Sequence, residues 1–224
     1  MTAERPVSAA RLAEELGDRL PRADSIPPSS FDLVAEARRF VEAVVMSDVD
    51  DAERAAITAA LATLTARLNT DRRPEALYLV RHPDGRVESL LNAGSGRLNP
   101  QSAPIEWLHR PTEPPPGTEP SPVEVTARCT YTAQHAGSPG RVYGGVLALT
   151  LDEALGIALR AAGAGGMTVS MTVSLKAGTP VGVPIDISAR YTGHEGRKSY
   201  ASGEIRANGV VTTEATAIFV SERR

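Results

Sequence analysis

The stretch GRVYGGVLALTLDEALGIALRAAG, residues 140–163, decides how the rest of the chain is read. From Gly144 onward it is apolar on nearly every helical face, and a helix of that kind must be enclosed by other elements. Two neighbouring acids, Asp152 and Glu153, interrupt it, and on a helix their side chains leave about 100° apart. The wrapper follows in the sequence. MTVSMTVSLKA, residues 167–177, alternates Met167, Val169, Met171, Val173 and Leu175 against Thr168, Ser170, Thr172 and Ser174, the period of a strand. VPIDISARYTG (183–193), RKSYASGEIRA (197–207) and VVTTEATAIFVSE (210–222) continue the pattern, and Asn208-Gly209 marks a tight type I′ hairpin between the last two. VEVTARCTYTA, residues 123–133, supplies a strand ahead of the helix. Strand, helix and four strands predict an α+β fold, an antiparallel sheet wrapped around a long central helix. Strand 167–175 is a candidate edge for pairing with a second copy, which predicts a homodimer or a dimer of dimers.

Upstream, the chain divides into an N-terminal helical extension over 1–72 and a hairpin with a proline-rich covering segment over 73–122, ahead of the main domain over 123–224. The leader closes on DSIPPSS, with Ser29 or Ser30 as a helix cap. FDLVAEARRFVEAVVMSD and DDAERAAITAALATLTARLNT both carry apolar residues at helical spacing and read as a helical hairpin used for packing or oligomerisation. EALYLVRHPDGRVESLLNAG reads as two short strands around Pro83-Asp84-Gly85. Residues 99–122 are too rich in proline for a helix or a central strand, and Trp107 within them is expected to pack on a neighbouring surface.

Twenty-four basic residues against 27 acidic ones, in a chain of 224, give no attraction to phosphate backbones or anionic membranes, so neither nucleic acid nor a membrane is expected as partner. The N-terminal residues show no secretion signal, and the expected location is the cytoplasm. The single cysteine, Cys129, has two readings, a reactive thiol or a small core residue. Four scattered histidines, His82, His109, His135 and His194, form no metal-binding pattern, and no phosphate-cradling or dinucleotide fingerprint is present.

PGRVYGGVLALTLDEALG, MTVSMTVSLKAGTPVG and GHEGRKSYASGEIRANGVVTTEATAIFV together resemble the hotdog-fold acyl-CoA thioesterase superfamily, in its phenylacetate-pathway-like (PaaI-like) branch, over about residues 123–221. That resemblance implies hydrolysis of an acyl-CoA or acyl-carrier-protein thioester, with no cofactor beyond the coenzyme A moiety of the substrate. It places the catalytic carboxylate, a general base or nucleophile, at Asp152, nine positions after Tyr143, where the family usually has histidine in a His-Gly-Gly motif. The backbone N–H groups of Gly144 and Gly145, at a helix start and without a Cβ, are candidates to polarise the thioester carbonyl. Thr168, on the following strand, would reach the site from the partner subunit to orient water. Tyr143, Gln134 and His135 are candidate substrate contacts, and Arg190, Arg197 and Lys198 are candidate contacts to the nucleotide phosphates.

Each of these residues also has a plainer reading. The glycines can form an ordinary tight turn, Asp152 can pair with Arg160 or Arg141, Thr168 can be a surface strand residue, and the cations can be solvated surface. A phenol cannot act as a base at neutral pH but can donate a hydrogen bond. Tyr143 therefore keeps two alternatives open, a non-hydrolytic protein that binds acyl ligands or partners, and a lyase or cyclase acting on a carrier-bound intermediate.

Overall fold

The structure is a computed structural model that describes residues 16–73, 79–115 and 117–221. The first fifteen residues of the leader, and residues 75–78 at the start of the expected hairpin, lie outside the described residues.

Among the described residues, short 3-10 turns at Gly17–Arg19 and Ala23–Ser25 precede two longer helices, α1 (Pro28–Met46) and α2 (Asp51–Leu68). Three-residue strands β1 (Leu79–Arg81) and β2 (Val87–Ser89) then form the expected antiparallel ribbon. β3 (Glu106–His109) and β4 (Glu124–Thr130) are followed by a small ribbon of β5 (Ala136–Ser138) and β6 (Arg141–Val142). That ribbon leads straight into α3 (Gly144–Ala161), and β7 (Met167–Leu175), β8 (Pro184–Glu195), β9 (Lys198–Ala207) and β10 (Val210–Val220) complete the chain. Six strands form one sheet in the order β3-β4-β8-β9-β10-β7. Its pairs are all antiparallel. Asn208 and Gly209, with φ of 51° and 78°, make the type I′ turn expected between β9 and β10.

The sheet curls around α3 because its strands present one apolar face each. Val125, Ala127, Ile185, Ile187, Ile205 and Phe219 are buried on that face against Leu147, Leu151, Leu155 and Ile157 of the helix. Small residues at Ala201, Ala215 and Ala217 let helix and sheet approach closely, and each buried leucine or isoleucine contributes roughly 1.5–3 kcal/mol. The hydroxyls of Tyr131 and Thr150 meet at 2.7 Å, satisfying two polar groups inside this core. Cys129 is buried, and burial pushes its thiol up to about 12, which settles its two readings in favour of an inert core residue.

Three expectations need correction. First, α3 is not enclosed on all sides. Gly145 and Leu149 are exposed on one flank, since the sheet covers only the opposite side of the helix. Second, α1 begins at Pro28 with Pro27 as its N-cap, ahead of Ser29 and Ser30. Proline is pre-set for the first helical position, so the helix starts two residues earlier than a Ser29 cap would place it, and three earlier than a Ser30 cap. Third, α1 and α2 do not lie along one another as a hairpin. Instead α1 is fastened to the covering segment. Arg38 donates to the Asn99 carbonyl at 2.9 Å and to Ser102 Oγ at 3.0 Å, and the Arg97 guanidinium lies 4.7 Å from the centre of the Phe31 ring. α2 is capped by Asp50, which accepts from the Glu53 amide at 2.9 Å, yet it buries none of its residues and leaves Leu61, Leu64 and Leu68 exposed.

The proline-rich segment also supplies β3, an edge strand whose Trp107 packs against the core. No helix among the described residues is long and apolar enough to cross a membrane.

Candidate active site

The two neighbouring acids of α3 have different surroundings. Glu153 accepts from Asn92 Nδ2 at 2.8 Å and Ser95 Oγ at 2.9 Å, donors carried by the loop after β2. That loop sits directly on the helix at Gly94, where an added Cβ would lie 2.8 Å from Glu153 Cβ. Asp152, half-buried on the next flank, accepts one side-chain hydrogen bond among the described residues, from Thr168 Oγ1 at 2.9 Å. Its rival partners are engaged elsewhere. Arg160 pairs with Glu113 at 3.3 Å, and the Arg141 side chain lies against Gly178.

Strict alternation along β7 would put Thr168 on the sheet face opposite Met171. The structure does otherwise, because a β-bulge interrupts the register with β10. Ala217 pairs with Met171 and Ile218 with Ser170, but Phe219 pairs with Thr168, leaving Val169 unopposed. Paired residues of antiparallel strands point to the same face, so Thr168 turns inward beside the buried Phe219 and reaches Asp152 of its own protomer. Thr168, expected to reach the site from a partner subunit, contacts Asp152 within its own chain. β7 is at the sheet edge, as expected, and exposes Val169 at 61% and Leu175 at 60%.

At the other end of the same flank, α3 starts with Tyr143 as N-cap, and no side chain caps it. The amides of Gly144 and Gly145 fall in the first turn, where no carbonyl within the helix can reach them. Two bonds fix this start, from Tyr143 N to the His135 carbonyl and from Val142 N to the Thr179 carbonyl, both at 2.9 Å. The Tyr143 ring, itself 61% exposed, lies across Gly145, and a Cβ there would be 2.7 Å from Tyr143 Cε1. Gly145 and Asp152 are seven residues apart, a rise of roughly 10 Å along the helix.

Comparison with solved structures adds the decisive observation. A thioesterase superfamily protein of known crystal structure superposes with a TM-score of 0.74 at 25% identity, over 90% of this chain and 93% of that one. The chain has the hotdog fold of the thioesterase superfamily. Further similar structures are a hypothetical thioesterase with coenzyme A from Streptococcus pneumoniae TIGR4 (16% identity, 54% of this chain and 90% of that one, TM-score 0.45) and the E. coli PaaI protein from the phenylacetic acid degradation operon (15% identity, 52% and 82%, TM-score 0.45). No protein-family model and no curated protein sequence matches this chain.

Within the hotdog fold, the other candidate residues separate. His135 is buried and accepts from the Thr132 amide through Nδ1 at 3.1 Å, with its ring edge-on to Tyr131. Burial holds its pKa below the ordinary imidazole value, so it is a neutral group that shapes the loop before α3. Its Nε2 has no partner among the described residues. Gln134 beside it is half-buried. Arg190 stands on the outer face of the sheet, away from α3, and donates to Ser202 Oγ at 3.2 Å. Arg197 and Lys198 are exposed at the β8–β9 turn, and Arg197 Nε donates to the Ser221 carbonyl at 3.2 Å. Lys198 pairs in register with Val220, which pairs with Met167, so this turn lies at the Thr168 end of β7, and by alternation along β9 Lys198 is on the same outer face as Ser202 and Arg190. Among the described residues, no three histidine, cysteine or acidic side chains gather as a metal site.

Sequence reasoning missed the Asn92 and Ser95 donors and the bulge at Val169. The run NAGSG around Gly94 and Gly96 is the signal that could have shown a loop in close contact with another element.

Proposed function

We propose that the protein hydrolyses an acyl thioester, of coenzyme A or of a carrier protein, at a site made by two copies of the chain. The observation that carries this reading is the inward turn of Thr168 onto Asp152, on a helix flank left open beside an unpaired edge strand. A carboxylate that can activate water for attack on a carbonyl must lie within about 3 Å of that water, and the carbonyl oxygen within about 3 Å of its donor amides. The rise of roughly 10 Å between Gly145 and Asp152 is too long for both to serve one carbonyl within a protomer. Pairing of two β7 edges would bring the Gly145 amide of one copy toward the Asp152–Thr168 pair of the other.

In that arrangement Asp152 takes a proton from water, and the resulting hydroxide attacks the thioester carbon. The amides of Gly144 and Gly145 stabilise the negative oxygen. The carbon–sulfur bond then breaks, and the departing thiolate recovers the proton from Asp152. Thr168 holds the carboxylate in place, and Arg197 and Lys198 offer charge to the phosphates of the thiol carrier. Turnover of a panel of short, medium and aryl acyl-CoAs by the protein and by Asp152→Asn tests the reading; equal rates would refute the role of Asp152.

A second reading, binding of acyl ligands without hydrolysis, is favoured by the Tyr143 ring lying across Gly145. Retention of acyl-CoA binding with no thiol release, and a gain of thiol release in Tyr143→His, would support it over the first.

A further inference from the structure

A cleft of about 820 Å³ opens on the other flank of α3, between the C-terminal half of that helix and the covering segment. Neither Gly145, Asp152 nor Thr168 lines it; its walls include Arg86, Trp107, Arg110, Glu113 and Arg160. That volume is in the range of small-molecule sites.

The carboxylates around the cleft already have partners. Glu113 pairs with Arg160 at 3.3 Å, Glu88 with Arg97 at 2.7 Å and His82 at 2.6 Å, and Glu153 with Asn92 and Ser95. Asp84 lies 3.9 Å from Arg86. Arg110 is left over. It forms no ion pair or hydrogen bond among the described residues, and its guanidinium sits 6.0 Å from the centre of the Trp107 ring. Burial, and then the charges of Arg160 and Arg86, hold its pKa below the ordinary guanidinium value, yet an arginine stays charged in proteins. A permanent cation, partly stripped of water beside Arg160 and Arg86 and only partly offset by Glu113 and Glu88, which are paired elsewhere, is unfavourable until an anion joins it. The Trp107 ring and Ile105 provide an apolar wall next to that charge.

We propose that this cleft is a second ligand site, separate from the Asp152 region, that binds a small organic anion with its carboxylate or phosphate on Arg110 and its apolar body against Trp107. Trp107 is the one tryptophan of the chain, so its fluorescence reports on this cleft alone. Titration of the full chain with benzoate and with phenyl phosphate tests the site, and the tighter of the two shows whether the head group is a carboxylate or a phosphate ester. The expected result is a saturable change in Trp107 emission with at least one of them, no change with neutral benzamide, and weakening of about tenfold or more in Arg110→Gln. The same response to benzamide, or unchanged affinity in a folded Arg110→Gln, overturns the proposal. So does the absence of a saturable response to either anion up to about 20 mM, which is weaker than any useful affinity. The benzamide comparison needs no variant, so the proposal stays testable if Arg110→Gln fails to fold.

Discussion

The two flanks of α3 carry adjacent carboxylates with opposite fates. On the Glu153 flank, a loop from the same chain supplies Asn92 and Ser95 and closes over the acid. On the Asp152 flank, a single hydroxyl arrives from β7 and the surface beyond is open at Gly145 and Leu149. A carboxylate has room for about four hydrogen bonds. The acid that receives two from a packed loop is built into the structure, while the one that receives a single bond beside an open face keeps lone pairs for water or substrate.

Substitutions can break that contrast, and the largest effect is expected at Asp152. Asp152→Asn should lower turnover of its best thioester by about 10²-fold or more while leaving the melting temperature nearly unchanged. Thr168→Val removes the Thr168 hydrogen bond to Asp152, and a loss of about tenfold in kcat with a smaller change in KM is expected. Glu153→Ala should do the reverse. It leaves Asn92 and Ser95 without their acceptor, at a cost of about 2 kcal/mol in unfolding free energy, and retains activity per folded molecule.

The covering segment that closes the Glu153 flank can be probed by pH. Glu88 is buried; burial acts to raise its pKa, but the hydrogen bonds from Arg97 and His82 outweigh this and hold it below its ordinary value of 4.5. Its stabilisation is therefore complete above the unfolded value and is lost as pH falls through the lower folded value. Thermal unfolding of the protein and of Glu88→Gln should differ by on the order of 1 kcal/mol above about pH 5 and converge in acid. The smallest effect is expected at Cys129, whose thiol should resist alkylation at pH 8 in the native protein and react once the protein is unfolded, a contrast read by mass spectrometry.

Much of this molecule was legible in its residues. The period-two runs of β7 to β10, the apolar stretch of α3 and the Asn208-Gly209 turn all depend on local chemistry, so they could be read without coordinates. The expected relation of α1 to α2 failed, because helical spacing shows which face is apolar and not what covers it. Arg38 and Phe31, which tie α1 to the covering segment, act across about 60 residues of chain that no local pattern links.

By itself, the sequence determined the fold class and put an acid two turns inside an apolar helix that begins with two glycines. Both follow from side-chain period and from glycine's lack of a Cβ, properties that each segment carries alone. Only the tertiary structure decided which acid was tied down and which was left open. That choice rests on a one-residue bulge opposite Ile218 and Phe219 and on a loop seated at Gly94, contacts between segments far apart in the chain.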